Sequence, residues 1–268
     1  MKQLSFTSII AAIIIIFSLQ CPLTASYPKA PPRGSITQES WDILYPYLLP
    51  SDSEIMRTLN DIFGRTRVTL NSDTMLKAGF TTGKAQEWSR IVVTKHKALP
   101  GYIFKIYLDD QGAKSDLRAQ YFFEKRVRGS IAIQKYIDEK NLSHLFKVPR
   151  KWVYLLPETS LPKKKYSFKN FILVVEDMQI LNKDENKKAW KGSQVNKDTL
   201  VALHNILKDV GLLDCSKIDN IPFSIDGKIA FVDTETSGQS FIPYSRLKKS
   251  LSSKMKHFWS DLTKYDKG

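Results

Sequence analysis

Cysteine is nearly absent from this chain. Among 268 residues only Cys21 and Cys215 are cysteines, and Cys21 falls in an N-terminal segment expected to be removed. A single remaining thiol cannot form an intrachain disulfide, so the fold must stand on its apolar core. The four histidines are scattered, and with so few cysteines no zinc-ligand spacing arises. Glycine is too thin around Gly79 and Gly83 to build a phosphate-cradling Gly-rich loop. The apolar run Ile9 to Phe17 falls short of the roughly 20 residues of a comfortable membrane span. No internal repeat occurs, and no zinc-finger, RNA-recognition or helix-turn-helix pattern points to nucleic acid.

What is present begins with Met1 and Lys2 ahead of that apolar run, followed by the small-residue site Leu23-Thr24-Ala25. This is the three-part layout of a secretory signal peptide over residues 1–25. It implies an exported protein, periplasmic or secreted; an uncleaved signal acting as a membrane anchor is the alternative. Residues 26–39, with Pro28, Pro31 and Pro32, read as a linker, and residues 40–268 as a single domain. The formal net charge is +14, with basic clusters at Lys163-Lys164-Lys165, Lys187-Lys188 and Arg246-Lys248-Lys249. The partners open to such a surface are an acidic protein, an anionic membrane surface, or a polyphosphate such as a nucleotide.

The local patterns describe an α+β chain. Asp52 to Phe63 is an amphipathic helix capped by Ser51 or Ser53 and closed by Gly64. Ser89 to Val93 and Tyr102 to Leu108 are β-rich; in the second, alternation puts Lys105 on one face with Ile103 and Tyr107. A long helix follows from about Ser115 to Glu139, with Gly129 as its weak point. Trp152 to Leu156 and Phe168 to Val175 are further strands. The charged stretch Asn182 to Lys191 reads as a loop. Asp198 then caps a helix from Thr199 to Val210, on which His204 has a packing or surface role. Tyr244 to Tyr265 is a basic helix or helix pair with an apolar stripe (Leu247, Leu251, Met255, Phe258, Leu262), either docked on the core or lying on a membrane surface.

The segment from Asn220 to Asp233 carries most of the chemistry. Asp226-Gly227 supplies a hairpin turn between apolar arms, so Asn220 and Asp233 meet at the open end. An amide oxygen and a carboxylate in that position suit Mg²⁺. The pair resembles the metal-binding end of the protein-kinase catalytic hairpin, where an Asn closes the catalytic loop and an Asp opens the following motif. The order of elements over roughly residues 75 to 236 is similar to the protein-kinase-like fold as well. The resemblance implies a two-lobed architecture, with an antiparallel sheet-rich lobe over residues 40–175 and a reduced helical lobe over 176–268. It assigns Lys105 to nucleotide phosphates, Glu124 to orienting Lys105, and Glu176 and Met178 to the inter-lobe hinge beside the nucleotide. It assigns Asn220 and Asp233 to Mg²⁺, with ATP as the nucleotide.

The chain departs from that family where catalysis is concerned. Cys215 occupies the position of the catalytic aspartate, Leu213 that of the usual His, and Asp214 is a candidate base one residue out of register. Lys217 does match a common catalytic-loop lysine. Asp233-Thr234-Glu235 has neither the Phe nor the Gly that normally follows the metal aspartate. Too little chain follows Asp233 for an activation segment and a full substrate-binding lobe. The expectation is therefore a degenerate, exported kinase-like protein that binds nucleotide and acts as an interaction module or effector rather than as an enzyme. The alternative is a basic protein for an acidic partner or a membrane surface, with no nucleotide site.

Overall fold

The computed structural model describes residues 27–32, 36–87, 89–110, 116–158 and 168–266. The expected signal peptide and the lysine run 163–165 lie outside the described residues. The strands are β1 (Ile91–Thr94), β2 (Tyr102–Tyr107), β3 (Phe146–Lys147), β4 (Lys151–Leu155), β5 (Phe171–Glu176) and β6 (Ile229–Ala230). The helices are α1 (Gln38–Leu44), α2 (Glu54–Phe63), α3 (Ser72–Lys77), α4 (Asp116–Glu139), α5 (Lys183–Lys191), α6 (Lys197–Val210), α7 (Ser245–Lys248) and α8 (Ser253–Leu262). The fold is mixed, as the sequence patterns imply: a four-stranded antiparallel sheet in the order β1-β2-β5-β4, with helices packed around it.

The side-chain alternation of β2 and β4 decides which residues meet. Phe104 and Ile106 of β2, with Tyr154 of β4, face a core built with Met56, Leu59 and Phe63 of α2 and Met75 of α3. The opposite face presents Tyr107, Val153, Leu173 and Val175 to Phe123 and Val127 of α4 and to Trp41 and Leu44 of α1. Period-two alternation therefore aims Lys105 of β2 and Lys151 of β4 at the α4 side of the sheet. Lys105 pairs with Leu173 and Lys151 with Val175, so the two lysines flank β5.

Helix α4 continues past the sheet, and its Ile133 and Ile137 join a second apolar body with α5, α6, α7, α8 and residues 212–231. Leu247, Leu251, Met255 and Trp259 are buried there, and the Trp259 indole N–H donates to the Tyr244 carbonyl at 2.9 Å. The C-terminal stripe is thus spent on the core. No described helix is long and apolar enough to cross a membrane.

Two sequence expectations change. Residues 183–191 form a helix instead of a loop. Asn182 accepts from the Asp184 and Glu185 amides, and the Glu185 side chain closes a capping box by accepting from the Asn182 amide. Trp190 and Asn186 of this helix are buried. The Asn186 amide bridges the Ile218 carbonyl and the Phe223 N–H. Helix α6 is capped by Asn196, not Asp198; Asp198 sits in the first turn, where its charge favours the helix dipole. Helices α1 and α3 lie outside the elements expected from the sequence, although Thr37 caps the first and an Asn71–Thr74 capping box opens the second. Tyr27, placed in the linker, reaches the Leu49 carbonyl through its hydroxyl and packs edge-on against Trp41.

The expected hairpin forms as a hydrogen-bonded ribbon. Gly227 takes a φ of +80° at the turn. Ser224 N donates to Lys228 O, Ala230 N to Pro222 O, and Val232 N to Asn220 O. Only Ile229 and Ala230 are regular strand, and their ladder partner is β3, in parallel. Residues 179–181 bond to the first arm through Ile225 N to Gln179 O and Leu181 N to Phe223 O.

Candidate functional site

The ribbon delivers residues 232–235 to the gap between β2, β4 and α4. Several bonds hold this segment, among them one from Lys151 Nζ to the Val232 carbonyl at 3.4 Å. Val232 N donates to Asn220 O at 3.0 Å. The Cys215 thiol donates to the Asp233 carbonyl at 3.2 Å. The Thr234 hydroxyl donates to the Arg126 carbonyl at 2.6 Å and accepts from Lys151 Nζ at 2.7 Å. Gly129 of α4 admits the chain, because a Cβ there would lie 1.9 Å from the Thr234 carbonyl oxygen.

Lys105 Nζ lies 3.6 Å from Asp233 Oδ1, and Arg126 Nε lies 3.5 Å from the same oxygen. Arg126 also pairs with Glu235. The side chain of Arg126 is only 5% exposed and that of Lys105 12%, whereas Asp233 is 30% open. Two cationic side chains, Lys105 and Arg126, thus meet Asp233, Arg126 also meets Glu235, and Lys151 bonds the same segment through Thr234 and Val232. The pairing is loose: Arg126 Nε and Asp233 Oδ1 meet only at 3.5 Å, and among the described residues Arg126 Nη1 is buried without a hydrogen-bond partner. Buried polar atoms are normally satisfied, so this loosely paired cluster is a candidate functional site.

The electrostatics follow from this crowding. Burial, aided by Lys105 and Arg126, pushes the Lys151 amine well below its ordinary value. Burial and Arg126 also lower Lys105, against the opposing pull of Asp233. Burial raises Asp233, but Lys105, Arg126 and Lys151 outweigh it and hold the carboxyl below the usual range. Glu235 is raised, by burial first and by Asp233 second, despite Arg126. Burial pushes the Cys215 thiol far up, so it stays protonated at neutral pH.

Of the residues singled out in the sequence, Lys105 and Asp233 come together. Asn220 lies on the adjoining chain, but its amide nitrogen donates to the Asp214 carbonyl at 3.0 Å. Glu124 does not pair with Lys105 here; it accepts from Arg128, one turn along the helix, at 2.8 Å. The reason is helical phase. At about 100° per residue, Phe123, Arg126, Val127 and Ser130 share a stripe, and Glu124 falls beside it. Arg126 therefore occupies the place facing the lysine. Glu176 ends β5 in an ion pair with Arg150, and Met178 follows, half-buried. Asp214 pairs with Lys217 and Arg246 and accepts from the Thr236 hydroxyl.

Arg126, Lys151 and Glu235 are the site residues that sequence reasoning missed. Spacing with Phe123 and Val127 could have flagged Arg126, and alternation with Val153 could have flagged Lys151. Glu235 carries no spacing signal of its own in the sequence.

The donor set bears on Mg²⁺. The ion prefers octahedral oxygen ligands including one or two carboxylates. Here Arg126 already faces both Asp233 and Glu235, so a divalent cation would have to displace a guanidinium. Among the described residues no cluster of three His, Cys, Asp or Glu side chains suits a metal ion. What the arrangement can do as it stands is receive an anion, through unspent N–H donors on a cationic floor. Neither any protein-family model nor any curated protein sequence matches the chain.

Proposed function

We propose that this chain is a degenerate, kinase-like module that binds the phosphates of a nucleotide, ATP being the reference ligand, and does not transfer them. In this reading the sheet with α4 is the first lobe and the α5–α8 body a reduced second lobe. The 3.6 Å approach of Lys105 to Asp233 carries the reading. Two residues far apart in sequence, each assigned to the phosphate end of the site on resemblance alone, form one ion pair. The sheet order β1-β2-β5-β4 around a strand-borne lysine, followed by α4, is in keeping with it. Glu176 and Met178 are the segment against which a base would lie.

Phosphoryl transfer needs a base within reach of the acceptor hydroxyl. Asp214 is committed to Lys217, Arg246 and Thr236, and the Cys215 thiol is buried and protonated. This supports an interaction module over an enzyme. With the signal-like segment 1–25, the reading is of an exported binding protein whose basic surface meets an acidic partner.

Calorimetric titration with ATP, followed by competition with inorganic tripolyphosphate, tests it. Saturable ATP binding that tripolyphosphate displaces, without release or transfer of phosphate, is expected. No binding of either ligand, with or without Mg²⁺, would overturn the proposal.

A further inference from the structure

Resting on the phosphate-binding reading above, we infer that Arg126 does the work of a metal ion: it contacts the polyphosphate directly, and the site binds its ligand without a divalent cation. The guanidinium sits against Asp233 and Glu235, the two carboxylates through which a dication would be held. It is nearly fully buried, yet its Nη1 atom donates to nothing among the described residues and its Nε makes only a long 3.5 Å approach to Asp233 Oδ1. An arginine has five N–H donors in a planar fork that matches phosphate oxygens. Desolvating that fork and leaving part of it unspent is costly unless a ligand takes up the remainder.

Charge points the same way. A dication approaching Asp233 meets Lys105 and Arg126 at under 4 Å from the same oxygen, with Lys151 behind them. An anion meets the same three groups as attractors. Asp233 and Glu235 then hold the arginine in position rather than holding a metal. Lys105, loosely tied to Asp233, supplies the second cation for the phosphate chain.

The test is ATP titration of the full chain in EDTA and in Mg²⁺, for wild type, Arg126→Met and Arg126→Lys. Wild type should bind about equally in both buffers. Arg126→Met should weaken binding in EDTA by about tenfold or more, the loss expected of a charge-assisted hydrogen bond. Arg126→Lys, which keeps charge but not the fork, should fall between them. Wild-type binding seen only with Mg²⁺ overturns the inference while leaving the nucleotide reading intact; no binding in either buffer removes both. The wild-type comparison needs no variant, so a folding failure of Arg126→Met leaves it decisive. If both variants fold and bind in EDTA as wild type does, Arg126 is not the contact and the inference fails.

Discussion

Gly129 faces the Thr234 carbonyl so closely that a Cβ at that position would sit 1.9 Å from the oxygen. In an exposed helix a Gly-to-Ala change stabilises by about 1 kcal/mol. Here the added methyl must push away the segment that carries Asp233 and Glu235. Gly129→Ala should therefore destabilise, by about 1–3 kcal/mol as overpacking does. Urea unfolding measures it, and a gain in stability would show that the 232–235 segment does not dock on α4.

Lys151 gives the fold an unusual pH profile. In the unfolded chain its amine titrates near 10.5; in the fold, burial together with Lys105 and Arg126 holds it well below that. Between the two values the unfolded state binds the extra proton, so raising the pH stabilises the folded state. Lys105, also lowered from 10.5, acts with the same sign. The stability contributed by Lys151 should grow with pH up to about 10.5, opposed in wild type by the Cys215 thiol, whose raised titration acts with the other sign. Lys151→Met should reduce that slope. The same pH dependence in wild type and Lys151→Met would contradict it.

Asp109 is fully buried and engaged on both oxygens. Arg67 reaches it through Nε and Nη2, both at 2.8 Å, and the Thr69 hydroxyl and the Lys169 amide complete the shell. Arg67 also donates to the Lys169 carbonyl. Asp109→Ala strands a guanidinium and should cost about 3–5 kcal/mol. The paired change Arg67→Met with Asp109→Leu should recover much of that. Chemical denaturation of Asp109→Leu, Arg67→Met and the double variant measures the coupling, and additive losses would mean the pair acts independently.

Cys215 has an unreactive environment. Its thiol is buried, donates to the Asp233 carbonyl and is held protonated. Maleimide should leave the Cys215 peptide unmodified at neutral pH and label it in denaturant, as mass spectrometry would report. Rapid labelling in the native state would point to an open, activated thiol.

The sheet and the principal helices were legible because their periods are strong. Alternation in Tyr102 to Tyr107 correctly put Lys105 with Ile103 and Tyr107, and Asp226-Gly227 marked a real turn. Residues 183–191 misread as a loop because their composition is charged, although Asn182 and Glu185 spell a capping box. Arg126 and Lys151 escaped notice for a different reason. A cation on a helix or strand ordinarily lies at the surface, and only the tertiary docking of residues 232–235 buries these two. The parallel pairing of β6 with β3 likewise has no local signature, since the turn at Gly227 suggests only the antiparallel arm.

The most direct measurement is ATP affinity of Lys105→Met against wild type, by calorimetry in matched buffer with both proteins shown to be folded. The expected result is a loss of about tenfold or more, because a charge-assisted phosphate contact is removed. Unchanged affinity would contradict a phosphate site built on the Lys105 and Asp233 cleft.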